Sequence, residues 1–218
     1  MSRHPFDPSF DELPASLPIF PLPGALLLPR GHLPLNIFEP RYLCMVRDAL
    51  AGDRLIGMVQ PRIADQDPGL ARVFEIGCAG KIASFSETDD GRYLITLRGL
   101  LRFAVERELE PKDGYRRVEP GFARFAEDLT AESVELDRER LLEALRRFFD
   151  EHQLSVDWEA VDRLDSESLV NTMAMLCPFD PPEKQALLEA ENLSARAAAL
   201  LAVLEMSTVE TGEDVARH

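Results

Sequence analysis

Nucleophilic or phosphate chemistry in this chain has few lysines to draw on. Lysine stands only at Lys81, Lys112 and Lys184, and the other basic residues are all arginine. Gly80-Lys81 resembles the end of a phosphate-binding loop. That loop also requires a glycine five positions before Gly80 and a hydroxyl residue after the lysine, where this chain has Glu75 and Ile82. Without them the backbone cradle and the magnesium ligand are missing, so hydrolysis of ATP by this route is not supported. Lys81 and Ser84 would form a serine–lysine pair only with the lysine held beside the serine in a dry pocket. Three positions apart on a strand or bend, their side chains are expected on opposite faces. No G-x-S-x-G elbow occurs. His4, His32, His152 and His218 are scattered with no H-E-x-x-H pair, and Cys44, Cys78 and Cys177 include no C-x-x-C pair. The cysteines sit among apolar neighbours and read as buried thiols of a reducing compartment. Carboxylates are abundant, with 39 Asp and Glu, but none is marked as belonging to a pocket, and they read as surface charge.

The elements that would position any site change character along the chain. Residues 1–14 are polar and read as a tail. Prolines at 18, 21, 23, 29 and 34 forbid helix there and predict short extended segments near 17–22 and 33–37, joined by a turn at Pro29-Arg30-Gly31. Tyr42, Leu43, Val46, Ala49 and Leu50 then recur at helical spacing. Pro40 in the first turn and Gly52 after the last residue bound a short helix, with the Glu39 carboxylate at its start. Strands are predicted at 54–60, across 72–85 with a bend at its glycines, along Tyr93–Val105 with a bulge near Gly99, and at 115–120. Asp89-Asp90-Gly91 marks a hairpin turn. From Thr130 glycine is absent until Gly212, and leucine and alanine rise. Leu136, Leu141, Leu142, Leu145, Phe148 and Phe149 form one apolar stripe, and a second helical pattern covers 166–176. Asp180-Pro181-Pro182-Glu183 is a helix start, and Ser194 is expected to cap a last helix through Leu204. This reads as four helices in 132–206, a frayed tail over 207–218, and a join in the acidic stretch 127–135.

The formal net charge is −15 over 218 residues. That field repels a phosphate backbone and suits solubility and basic polypeptide partners. The nearest approaches to a basic patch are Arg98 with Arg102 and Arg116 with Arg117, both with acidic neighbours. No secretory signal is visible near the first residue, and Ala25–Leu28 is too short to cross a membrane.

Two stretches carry a family resemblance. They are Leu17-Pro18-Ile19-Phe20-Pro21-Leu22-Pro23-Gly24 and Leu33-Pro34-Leu35-Asn36-Ile37-Phe38-Glu39-Pro40-Arg41-Tyr42. Together they resemble the opening of the N-terminal substrate-binding domain of the Lon protease family. Ile76–Ile82, Asp90–Tyr93, Leu97–Phe103 and Pro182–Glu189 continue the resemblance, so that it covers about 17–206. It implies an α+β fold: a PUA-like twisted β-sheet or pseudo-barrel with one short helix over 15–125, then a helical subdomain over 130–206. It also implies a role in holding protein substrates. The Lon ATPase and serine–lysine protease modules are not expected in this chain.

The expected function is therefore that of a non-catalytic, cytoplasmic polypeptide-binding or adaptor module of protein quality control. Its clients would be unfolded or extended segments, with a separate protease or chaperone as a further partner, and no cofactor or metal. Candidate contacts are Phe20, Leu22, Leu27, Leu28, Phe38, Met58 and Phe85, with strand addition at an open sheet edge as one binding mode. A PUA-like nucleic-acid module and a small-molecule enzyme with an unrecognised site are the alternatives.

Overall fold

The computed structural model describes residues 7–62, 71–130 and 136–215, with side chains to 207. The chain divides into two compact units. One holds residues 1–131 together with Pro178–Leu188, and the other holds Glu132–Cys177 and Glu189–His218.

The first unit is built on six strands and a helix in the order β1 (Leu17–Pro21), β2 (His32–Ile37), α1 (Pro40–Ala51), β3 (Leu55–Val59), β4 (Ile76–Glu87), β5 (Tyr93–Lys112) and β6 (Tyr115–Gly121). The sheet order is β2-β5-β4-β3-β1-β6, and β5 also pairs with β6. Five strands thus close on themselves, with β1 and β3 parallel and the other pairs antiparallel. The twenty-residue β5 makes this possible. Its first part pairs with β2 from Tyr93 to Arg98, and its last part pairs with β6 from Ala104 to Lys112. Asp113 and Gly114 both lie at positive φ, 49° and 84°, and close the β5–β6 hairpin in the left-handed region that such a two-residue turn requires.

The predicted bulge lies beside Gly99. Ala79 faces Leu101 and Gly80 faces Gly99, so Leu100 is the extra residue. Glycine is required at 99 because a Cβ there would stand 2.0 Å from the Leu28 carbonyl oxygen. The closed sheet is filled by Leu17, Ile19, Leu55, Val59, Leu101, Phe103 and Val118 with their neighbours. The ring of Tyr42 on α1 lies 4.2 Å from that of Phe20 on β1. Glu39 precedes α1 but makes no capping bond there. Its carboxylate accepts instead from Arg41 Nε at 3.0 Å.

The predicted basic pairs are engaged within the unit. Arg102 and Asp128 are each about 4% exposed. The guanidinium donates through Nε and Nη2 to the two carboxylate oxygens, both at 2.8 Å, and the Arg102 amide donates to Oδ2 at 2.9 Å. Arg102 Nη1 also donates to the Leu188 carbonyl at 3.2 Å. Arg98 is paired with Asp7 and Arg116 with Glu108, while Arg117 donates to the Glu110 carbonyl. Residues 7–14, expected as tail, carry that Asp7 contact and a short 3-10 turn at Phe10–Glu12, with Ser9 and Glu12 capping each other. The helix α5 (Pro181–Glu189), expected in the helical part, is held mainly by the β-rich unit. Lys184 Nζ donates to the Gly24 carbonyl at 2.7 Å, Gln185 to that of Ile76, and Gln60 to that of Pro181.

The second unit contains α2 (Arg138–Glu151), α3 (Trp158–Asp162), α4 (Ser166–Leu176) and α6 (Leu193–Val215). The short α3 was not expected, and α6 runs on through the stretch predicted to fray. Asp137, Asp157 and Asp165 each accept from the backbone amide three residues on. Asn192, rather than Ser194, caps α6 in the same way. The Ser168 amide holds the Asp165 carboxyl below its ordinary value. Leu141, Leu145, Phe148, Leu169, Met173, Leu200 and Leu204 are buried, as the apolar stripes require. Segments 63–70 and 131–135, the latter part of the predicted acidic join, lie outside the described residues.

Removing the counter-charge of a buried ion pair costs about 3–5 kcal/mol. Asp128→Ala should therefore shift the urea midpoint down by that equivalent without changing the slope. A midpoint within error of the parent would show that Arg102 does not depend on Asp128. Asp48 on α1 accepts from Lys112 Nζ and from the Tyr115 hydroxyl, both at 2.7 Å. Lys112 first and Tyr115 second hold its carboxyl below the ordinary range, while burial and Asp48 raise the Tyr115 phenol. The folded value of Asp48 lies below the unfolded one, so its contribution is complete above about pH 4 and is lost as pH falls through the depressed value. Asp48→Asn should flatten the acid limb of the stability curve, and a limb parallel to the parent's would count against this assignment.

Candidate functional site

The residues predicted as client contacts divide sharply by burial. Phe20 is 7% exposed, Met58 2%, Leu27 1% and Leu28 0%, so these four belong to the core and present no surface. Leu22 is half-buried. Phe38 and Phe85 are 61% and 43% exposed. These two rings are therefore the members of the predicted set that reach water, whereas apolar residues at strand spacing are more often core.

The sheet brings the exposed pair to one end of the β2–β5–β4 ladder. Phe38 directly follows β2, whose last residue Ile37 faces Tyr93. Phe85 on β4 faces Ile95 on β5, and its ring meets that of Tyr93 edge-on with centroids 5.0 Å apart. The Arg92 guanidinium lies 5.9 Å from the centre of the Phe38 ring. Leu94, 46% exposed, adds apolar surface on the other face of β5, next to Asn36 and Ser86. The hairpin turn under this cluster is held by Asp90, which pairs with Arg92 Nε at 2.9 Å and accepts from the Thr88 hydroxyl. Thr88 first, and Arg92 after it, hold the Asp90 carboxyl below its ordinary value. Phe85, Tyr93 and Leu94 thus sit on paired strands beside a closed turn, and Phe38 sits in the link between β2 and α1.

Leu94 was absent from the predicted contacts although its signal was present. It shares its strand face with Thr96 and Arg98, and an apolar residue on a polar face is expected to reach water.

Other predicted chemistry is placed differently. A register shift between Ile82 and Ser84 brings Lys81 and Ser84 to the same face of β4, opposite to the expectation from simple alternation. Ser84 is exposed, so it lacks the dry pocket that such a pair requires. Cys78 and Cys177 are buried, but Cys44 is only half-buried and accepts from Arg47 at 3.1 Å. Among the described residues no group of three or more His, Cys, Asp or Glu could hold a metal ion, and no helix is long and apolar enough to cross a membrane.

A family model for the ATP-dependent protease La (LON) substrate-binding domain matches residues 16–206. The chain belongs to the family of Lon substrate-binding domains. A Lon protease 2 of Myxococcus xanthus is 30% identical over 201 residues, covering 89% of this chain and 24% of that protein. A Lon protease of Anaeromyxobacter dehalogenans is 27% identical over 199 residues, covering 89% and 23%. The chain thus spans about a quarter of the length of these relatives, and the family matched is the substrate-binding domain rather than a catalytic one. The crystal structure of a Lon N-terminal domain protein from Xanthomonas campestris superposes with a TM-score of 0.60 at 27% identity, covering 86% of this chain and 97% of that one. The N-terminal domain of a Mycobacterium avium complex Lon protease superposes at 0.58 and 17% identity, which supports the fold alone.

The burial division predicts a division in stability. Phe38→Asp and Leu94→Asp remove exposed groups and should change the unfolding free energy by less than about 1 kcal/mol. Met58→Asp places a charge in the core and should leave little folded protein. Equal losses across these variants, read by circular dichroism on heating, would show that Phe38 and Leu94 are structural.

Proposed function

We infer that this Lon-type domain is a non-catalytic holder of unfolded or extended polypeptide segments, gripping apolar side chains at the Phe38–Phe85–Tyr93–Leu94 end of the sheet. The observation that carries this reading is the presence of exposed Phe38, Phe85 and Leu94 at one end of the β2–β5–β4 ladder, in a chain whose family is described by substrate binding. Such a surface contributes through apolar burial, about 25 cal/mol per Å² of area removed from water. It requires no fixed client sequence.

The arginines support a protein client rather than nucleic acid. Arg98, Arg102, Arg116 and Arg117 each donate to a carboxylate or carbonyl of the same unit. The net charge of −15 adds to this, since phosphate binding depends on clustered cations. In the cell the module acts as an adaptor or holder in protein quality control, in the cytoplasm, delivering clients to a separate protease or chaperone.

The test is a fluorescence-anisotropy titration against a labelled, permanently unfolded polypeptide, with its folded parent as control. Saturable binding to the unfolded form alone is expected, weakened at least about tenfold by Phe38→Asp combined with Phe85→Asp, a loss of about 1.4 kcal/mol. Equal binding of both polypeptides, or binding unchanged in the double variant, would remove this assignment.

A further inference from the structure

We propose that the outer edge of β2 is a strand-acceptor site, taking an extended segment of alternating apolar and basic residues as a further strand of the sheet. This rests on the polypeptide-binding reading above and specifies both its geometry and its client class.

The chemistry of Pro34 defines the edge. Pro34 faces Thr96 on β5 but has no N–H, so this cannot be one of the pairs that exchange both ladder bonds. Antiparallel pairs alternate between hydrogen-bonded and non-hydrogen-bonded. His32–Arg98 and Asn36–Leu94 are therefore of the same kind as Pro34–Thr96, while Leu33, Leu35 and Ile37 carry the bonds to β5. The Gly99 amide, donating to the Gly31 carbonyl at 2.9 Å one step before His32, is in phase with this pattern. The N–H and C=O groups of His32 and Asn36, and the C=O of Pro34, consequently point away from β5. Among the described residues β2 pairs only with β5.

Edge strands that resist pairing carry charge, proline, a bulge or extreme shortness, and of these β2 has only Pro34, which withholds one donor but keeps its outward C=O. β2 is six residues long, carries no Asp, Glu, Lys or Arg, and runs in unbroken register with β5. Leu33 and Leu35 are only half-buried, although the residues they face, Leu97 and Ile95, are 0% and 2% exposed. A strand outside β2 would complete their cover and lead its end onto Phe38. The charge at that end selects the client. Arg41 and Arg92 are paired with Glu39 and Asp90, and the exposed Glu87 and Asp89 outnumber Arg47, the further cation that interacts with Tyr93, leaving an excess of negative charge beside Phe85. Lysine or arginine alternating with apolar residues complements this arrangement. A second copy of the chain does not, because each copy carries −15.

The decisive variant is Asn36→Pro. It removes an outward N–H and leaves the bonds to β5 in place, as Pro34 already does. The probes are labelled peptides of alternating valine and lysine, or valine and glutamate, titrated against the full chain, with amide hydrogen exchange read at His32 and Asn36. The valine–lysine peptide should bind and protect both amides. Its affinity should fall at least about tenfold in Asn36→Pro, and the valine–glutamate peptide should bind at least about tenfold more weakly to the parent. If Asn36→Pro does not fold, protection of the two amides in the parent decides the matter. Unprotected amides, or full affinity in a folded Asn36→Pro variant that loses binding on Phe38→Asp, would overturn strand addition and leave the side-chain grip standing. Equal binding of the two peptides would overturn the charge selection. Binding of the unfolded polypeptide without binding of the valine–lysine peptide overturns this proposal alone, and binding of neither overturns both readings. Self-association that Asn36→Pro abolishes would assign the edge to a second copy and overturn the proposal.

Discussion

A guanidinium and a carboxylate withdrawn from water in the middle of the first unit impose their geometry on everything around them. Neither Arg102 nor Asp128 can be left alone at about 4% exposure, because an unpaired buried charge is among the costliest defects a fold can carry. The planar fork of arginine, matched to both carboxylate oxygens, fixes where β5 stands relative to the segment after β6. The remaining Nη1 reaches the Leu188 carbonyl near the end of α5. Arg30 adds a bond from the loop before β2 to the Asp128 carbonyl at 2.6 Å. Residues separated by more than 80 positions along the chain are thereby held to one point. The return of α5 to the β-rich unit follows from the same requirement that buried polar groups find partners.

The length of β5 has a second consequence. A strand long enough to pair with β6 at one end and β2 at the other closes a ring of five strands and still leaves one strand outside it. Closure removes edges, and β2 restores one. Three of the large apolar groups that remain exposed in this unit, Phe38, Phe85 and Leu94, lie where that open strand ends. Stability and accessibility are thus divided along a single strand, with the buried pair and the bulge at Gly99 in its middle and the exposed cluster at its beginning. Cluster and edge adjoin, so the side-chain grip and the backbone pairing argued above would act on the same client.

Much of this was legible in the residues. Prolines at 18, 21 and 34, the helical spacing from Tyr42 to Ala49, the Asp89-Asp90-Gly91 turn and the leucine stripes after residue 136 placed nearly every element. Each of these signals is local: a fixed φ, a missing N–H, or a period of 2 or 3.6. The bulge near Gly99 was legible for the same reason, since an isolated glycine in a strand pattern signals a bulge or a close approach. Local signals failed where competing partners decided the outcome. Glu39 was expected to serve helix α1 and instead serves Arg41, and Asn192 rather than Ser194 caps α6.

The chain alone determined the α+β class, most of the order of elements and the resemblance to Lon substrate-binding domains, because composition, periodicity and motif spacing are properties of neighbouring residues. It did not determine which apolar residues face water. Phe20 and Phe38 look alike in sequence, as do Met58 and Phe85, yet two are core and two are surface. Burial depends on which strands become neighbours, and only the closed sheet decided that. The same holds for Arg102, which reads as part of a basic patch until the fold places Asp128 against it, and for Lys81 and Ser84, which a single extra residue in β4 moves to one face.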